Sequence, residues 1–183
     1  MKYITFLFPL LFSQTATFSQ DKSDPVEVTP VIEKKINQEI ISEAGSLKTK
    51  LTSDKESTAS IEFILDTFRI EKFQDKYMDY DWSTAGMSTA TYDAAKKYDS
   101  LLNKYYKKLL VVLKQSDKLV LVNAQKSWIT FRDNELKLIE TISKDEYSGG
   151  GTIQQLIDAS EYLDIIKQRT IIIYEHYSRT QGY

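Results

Sequence analysis

Apolar residues in the middle of this chain recur at alternating steps of three and four, and this spacing constrains the fold more than any other feature. They are Ala95, Tyr98, Leu102, Tyr105, Leu109 and Val112. The spacing places them on one seam of an α-helix. The neighbouring segments show the same period, and none shows the alternation typical of a β-strand. The sequence therefore predicts an all-α protein, a largely antiparallel bundle of four to five helices with short loops.

Five helices are expected from this period and from the residues that begin helices. They cover about residues 30–50, 59–77, 83–115 and 117–143, and a last helix begins at about residue 152. Pro30 suits a first turn, and either Ser83 or Thr84 can cap the third helix. Thr152 with Gln155 forms a capping-box pattern that opens the last helix. The fourth helix carries two apolar seams, so we expect it to be central.

The first nineteen residues have the features of a secretory signal peptide. A positive Lys2 precedes a short apolar run, and Thr17 and Ser19 are small residues at the minus-three and minus-one positions of a cleavage site. The apolar run is too short to cross a hydrocarbon core of roughly 30 Å. We expect residues 1–19 to be removed, residues 20–58 to form a linker and an N-terminal helix, and residues 59–180 to form the helical domain. The mature protein is then periplasmic or secreted, without stable membrane insertion.

The composition disfavours several classes of function. The chain has 24 basic and 26 acidic residues and a formal net charge of −2. A nucleic-acid surface would need clustered basic residues in excess, whereas this charge is compatible with a basic protein partner. There is no cysteine, and the single histidine, His176, lies in the last eight residues. Because catalysis and metal ligation need more such groups, we predict a non-enzymatic protein without cofactor or metal.

Polar residues follow the third and fourth helices at helical spacing. They are Asp99, Asn103 and Tyr106 on the third helix, and Gln125, Trp128 and Arg132 on the fourth. Arg132 lies between apolar residues, so we expect it to be partly buried and to need a hydrogen-bonded partner, Asp99 first and Asp133 second. Two interpretations stay open: a polar network that fixes the register of the bundle, and a surface that faces a ligand.

Arg169 is flanked at helical spacing by isoleucines of the last helix. An isolated, exposed role is therefore disfavoured. We expect a carboxylate from another helix within salt-bridge reach of its guanidinium.

Three successive glycines lie between the fourth and the last helix, in the segment Ser148, Gly149, Gly150, Gly151 and Thr152. Glycine permits positive φ angles, and backbone amides at a helix start can hold an anion or a carboxylate. The segment lacks the G-K-[S/T] ending of a phosphate-binding loop. It is either a tight or flexible turn or a projecting loop that meets a partner.

Several spaced motifs in this chain occur together in one known family. They are Y-D-x-x-L-N-x-Y-Y from Tyr98, A-Q-x-x-W-x-x-F-R-D from Ala124, the glycines at 149 to 151, Q-R-T around Arg169, and S-T-A-G-M from Ser83. Over roughly residues 60–177 the chain resembles the LprI-like lysozyme-inhibitor family of secreted helical domains. Members of that family commonly carry paired cysteines, which this chain lacks, so it must be held together by its core.

The resemblance implies a protein that binds lysozyme or another exported protein. Lysozyme acts through two carboxylates in a cleft, so an inhibitor need only place hydrogen-bond donors there. Ser148 to Thr152, and Ser83 with Thr84, are the candidate contact segments. The alternative is a general envelope interaction module, which a broad apolar groove between helices would favour over a projecting loop.

Overall fold

The computed structural model describes residues 24–181, so the predicted signal peptide lies outside the described residues. Six helices form within this range. They are α1 (Pro30–Ser53), α2 (Thr58–Tyr80), α3 (Thr84–Val112), α4 (Lys118–Ile142), α5 (Asp145–Ser148) and α6 (Ile153–Arg179). The all-α prediction is confirmed, and the five long helices begin and end close to their expected positions. The single-turn α5 is an addition that the apolar period did not indicate.

The core of the bundle is the contact between α3 and α6. The largest cluster of buried residues contains Tyr98, Leu102 and Tyr105 from α3 with Ile166 and Ile173 from α6. Small residues allow the two helices to approach closely. They are Ala90, Ala94 and Ala95 on α3 and Ala159 on α6, all of them buried.

The pair α3 and α6 runs parallel. Tyr92 contacts Tyr162, the Thr170 hydroxyl donates to the Tyr98 carbonyl at 3.2 Å, and Tyr105 contacts Tyr177. Residue numbers therefore increase in the same direction along both helices. The pairs α1–α2, α2–α3 and α4–α6 are antiparallel, as the sequence predicts for most of the bundle.

The first helix packs on the second through a smaller apolar cluster. Ile36 and Ile40 of α1 lie against Phe73 of α2. The chain just before α1 is also held, because the Val26 amide donates to the Tyr80 carbonyl at 2.8 Å. The predicted N-terminal helix is therefore packed against the bundle.

The expectation that α4 is central was wrong. Leu121 is its only buried residue within the described chain, and the main neighbour of α4 is α6. The exposed fractions of Val120, Phe131, Leu138 and Ile142 lie between 52% and 70%. The small side chains of α3 favour close packing of α6, which takes the inner position, and α4 is left at the edge of the bundle. Val112, at the end of the seam predicted for α3, is also exposed.

Among residues 24–181, no helix is both long and apolar enough to cross a membrane.

Candidate partner-binding surface

The two segments proposed for partner contact lie at the same end of the bundle. Because α3 and α6 are parallel, the turn before α3 and the glycine loop before α6 face the same direction. The C-terminal end of α4 arrives there too, since α4 is antiparallel to α6. We call the part of this region formed by residues 129–166 the α4–α6 end.

The glycine loop is a compact turn with all three glycines in the left-handed region. The φ angles of Gly149, Gly150 and Gly151 are 78°, 76° and 94°. Ser148 turns its hydroxyl inward, donating to the Ser143 carbonyl at 3.0 Å and accepting from the Gly150 amide at 3.1 Å. Of the loop's side chains, this leaves Thr152 as the exposed hydroxyl.

The predicted capping box at Thr152 was wrong. Thr152 has the right-handed helical conformation, with φ −64° and ψ −22°, and its side chain makes no cap hydrogen bond. A side-chain cap needs an extended residue at this position. The three glycines with positive φ angles are instead followed by a Thr152 that is already helical, which leaves its hydroxyl without a capping role.

The turn before α3 uses its hydroxyl for structure. Ser83 is the N-cap, accepting from the Gly86 amide at 3.0 Å and donating to the Asp81 carboxylate at 2.6 Å. Thr84 begins the helix and is partly buried. The capping role expected of Ser83 is confirmed, and its hydroxyl is occupied within the protein.

The polar residues predicted as one network separate into two groups. One group joins α4 to α6: the Arg169 Nε donates to the Gln125 side-chain oxygen at 3.1 Å, and the guanidiniums of Arg132 and Arg169 lie 5.4 Å and 5.7 Å from the Trp128 ring centroid. Trp128 thus lies within cation–π distance of both arginines. This group fixes how α4 is placed along α6.

The expected partners of the two arginines need correction. Arg132 donates twice to Asp133, at 2.9 Å and 2.7 Å, and not to Asp99. Asp99 lies on α3, which packs mainly against α6 and α2 and not against α4. Within the described chain, Arg169 contacts an amide oxygen and an aromatic ring instead of a carboxylate. Burial lowers the pKa of Arg169 from its ordinary value.

The second group stays on α3. The Asn103 amide donates to the carbonyl and the carboxylate of Asp99 at 2.9 Å and 3.2 Å. Tyr106 packs at the edge of the main core. These three residues share a helix face, as their spacing indicates, but they do not meet the residues of α4.

A groove of about 350 Å³ runs between the C-terminal half of α4 and the N-terminal half of α6. Its floor is apolar and its rim is acidic. The lining residues are Leu138, Ile139, Ile142 and Ile165, with Glu135, Glu161 and Asp164. On the other side of Ile139 lies a groove of about 310 Å³ with two more carboxylates, Glu140 and Asp158. The C-terminal half of α4 is therefore bordered by carboxylates on both sides.

The charge of the chain is unevenly distributed, which sequence reasoning missed. Residues 129–166 contain eight acidic side chains and three basic ones, a net charge of −5 in a chain whose total is −2. Among the described residues, Glu135, Glu161 and Asp164 form no salt bridge. The carboxylates of α2 differ, since Glu62 and Asp66 both pair with Lys104. Counting charge by segment would have located this acidic end.

No catalytic or metal-binding arrangement is found among the residues that the structure describes. No group of three potential metal ligands comes together there. The only histidine, His176, contacts the Arg179 side chain one turn away on α6.

The family described as "Lysozyme inhibitor LprI" matches residues 76–171 of this chain. The match covers more than half of the chain. The protein belongs to the LprI lysozyme-inhibitor family. No curated protein and no solved structure matches it.

The LprI match begins in the last turns of α2 and ends within α6, so it contains the whole α4–α6 end and leaves out α1. Both groups of polar residues and the glycine loop fall inside it. LprI is a family of inhibitors and not of enzymes, which supports a non-enzymatic protein at the family level.

Proposed function

We propose that this LprI protein is an exported, non-enzymatic inhibitor that binds a lysozyme-type cell-wall hydrolase. The observation that carries the proposal is the family match over residues 76–171, the part of the chain that contains the acidic α4–α6 end. An acidic surface with unpaired carboxylates assists encounter with a basic enzyme. The predicted periplasmic or secreted location would place the protein where such enzymes act.

The contact proposed for the enzyme cleft is the segment Ser148–Thr152. Since the hydroxyl of Ser148 is used within the protein, the donors that this segment offers a partner are the Thr152 hydroxyl and the backbone amides of Gly151 and Thr152. Asp145 and Glu146 precede the loop, and like charge opposes their approach to the two carboxylates of a lysozyme. We therefore assign the loop to the cleft and the acidic residues to the basic surface around it.

Inhibition of purified lysozymes of several types by residues 20–183, in a cell-wall lysis assay, tests the proposal. Stoichiometric inhibition of at least one type is expected. The variant Thr152→Trp should weaken inhibition by about tenfold because a bulky ring blocks the loop. Thr49→Trp, a matched substitution at an exposed position of α1, should leave inhibition unchanged. Equal inhibition by both variants would remove the loop from the contact.

A general envelope interaction module is the second candidate. The apolar floor of the groove along α4 favours it, and so does the compact form of the glycine loop. An absence of both inhibition and binding across the lysozyme panel would support this candidate over the first.

A further inference from the structure

The outer face of α4 carries an apolar stripe that the protein leaves uncovered. Ala124, Phe131 and Leu138 are seven residues apart, and Val120 and Ile142 extend the same face by one turn at each end. A seven-residue period keeps side chains aligned along a helix. All five are exposed. A monomer gains nothing from such alignment on a solvated face, and a row of this kind is typical of a contact surface.

The apolar stripe forms one wall of the α4–α6 groove. Leu138 and Ile142 line the groove from α4, and Ile165 lines it from α6. Ile172, two turns further along the same face of α6, is also exposed. Two antiparallel helices with apolar side chains on a shared outer face can receive a third amphipathic segment between them.

The rim of the groove determines what charge that segment carries. Glu135, Glu161 and Asp164 stand around the apolar floor. These carboxylates have no salt-bridge partner within residues 24–181, so a partner's cations would meet them without breaking an existing ion pair. A second copy of this chain would bring the same acidic rim, and like charges across an interface are unfavourable. The complementary occupant is basic.

We infer that the α4–α6 groove is the docking site for a basic amphipathic segment of the inhibited hydrolase, one with apolar side chains flanked by lysine or arginine. The inference rests on the proposed function for the identity of the partner, and it assigns most of the contact to the groove instead of to the glycine loop. Apolar burial against Leu138, Ile142 and Ile165 supplies affinity, and the three carboxylates supply orientation and speed of encounter.

The direct test uses residues 20–183 and a fluorescent synthetic helix of about 18 residues, with leucine on one face and lysine elsewhere. Leu138→Glu places a charge on the groove floor, and Glu161→Lys reverses a rim charge. Each should weaken binding of the lysine helix by about tenfold or more. Circular dichroism establishes that the variants stay folded, which is expected because Leu138 and Glu161 are exposed.

Two matched controls separate the groove from general charge. Ile41→Glu makes the same kind of change at an exposed position of α1, and Glu56→Lys makes the same charge change at an exposed position outside the groove lining. Both should bind the lysine helix within about threefold of the unsubstituted protein. Equal weakening by the controls, or equal binding of a helix with glutamate in place of lysine, would overturn the inference.

Lysozyme inhibition by the same variants keeps the two proposals apart. Suppose that the unsubstituted protein inhibits a lysozyme. If Leu138→Glu and Glu161→Lys inhibit that lysozyme equally well, the groove inference fails while the proposed function stands. If no lysozyme is inhibited but groove variants alone lose the lysine helix, the proposed function fails and the groove chemistry stands. A dimer seen by light scattering that Leu138→Glu converts to a monomer would assign the groove to a second copy and overturn the inference.

Discussion

The hydroxyl of Tyr105 is buried without a hydrogen-bond partner in the described part of the chain. Its ring is well packed, with centroids 5.2 Å from Phe63 and 5.3 Å from Tyr174. Burial raises the pKa of this phenol, with further contributions from nearby Glu62 and Asp66. The ring therefore supplies the stabilisation, and the hydroxyl carries a desolvation cost of about 1–3 kcal/mol.

Tyr105→Phe should leave stability unchanged or raise it by about 1 kcal/mol, because the substitution removes only the unpaired hydroxyl. Tyr98→Phe is the matched control, since the Tyr98 hydroxyl donates to Glu71 at 2.8 Å. That variant should lose about 1 kcal/mol. Urea unfolding of both proteins measures the difference, and a destabilised Tyr105→Phe would show that the hydroxyl has a partner in solution.

Glu71 should link stability to pH. Burial opposes its ionisation, but hydrogen bonds from Lys167 and Tyr98 outweigh burial, and the pKa of Glu71 lies below its ordinary value of 4.5. A carboxylate with a lowered pKa in the folded state stabilises the protein above pH 4.5, and this contribution is lost as pH falls below it.

Glu71→Gln removes that link. We expect the variant to be less stable than the unsubstituted protein at pH 7, and the difference between them to shrink as pH falls below 4.5. Urea unfolding midpoints of the two proteins, measured at pH 7 and at a pH below 4.5, check this. A difference independent of pH would mean that Glu71 contributes through packing and not through its charge.

At the level of elements, the glycines are of two kinds: those whose backbone conformation requires glycine and those where another residue would fit. Gly150 has a φ of 76°, and a Cβ there would lie 2.7 Å from a carboxylate oxygen of Asp145. Gly45, in the middle of α1, has no atom within 4 Å of where a Cβ would be. The sequence shows both as glycine, and only the backbone distinguishes them.

Gly150→Ala should destabilise the protein by about 1–2 kcal/mol, since alanine is strained at positive φ and would displace Asp145. Gly45→Ala should stabilise it by about 0.5–1 kcal/mol through helix propensity. Thermal unfolding of the two variants compares them directly. Opposite signs are expected, and equal shifts would contradict the assignment of the turn.

The helices were predictable from sequence, but their neighbours were not. The helix starts were located by the spacing of apolar residues and by Pro30 and Ser83, because those signals depend only on the local chain. The position of α4 depends on which helix packs more closely on α3, and that is decided by Ala90, Ala94 and Ala95, which carry little weight in an apolar pattern. The wrong prediction of Asp99 as the first partner of Arg132 has the same cause, since Asp99 would be adjacent only if α4 packed on α3.

The candidate site was only partly predicted, because the groove also depends on how the helices pack. The glycine loop stands out as a motif, whereas the α4–α6 groove consists of residues that are ordinary in sequence. Apolar residues such as Leu138 and Ile142 are assigned to a core by their period, and only their exposure shows that they face solvent.

At the scale of the whole molecule, stability is concentrated in α3 and α6. Backbone amides of elements with few buried side chains exchange faster, because local opening there exposes little apolar surface. We expect the amides of α4 to exchange faster than those of α3 and α6, and to slow when a partner binds. Hydrogen-exchange mass spectrometry measures both. Equal protection of α4 and α6 in the free protein would contradict the peripheral placement of α4.

The parallel arrangement of α3 and α6 requires a return path along the bundle. After α3 ends, the chain must travel back before α6 can start beside the beginning of α3, and the 25 residues of α4 span roughly 37 Å as a helix. α4 therefore acts as a rigid strut whose required properties are its length and its helical form. Its inner side chains pack on α6. Its outer side chains do not pack in the core, so substitutions there can adapt the protein to different partners without loss of the fold.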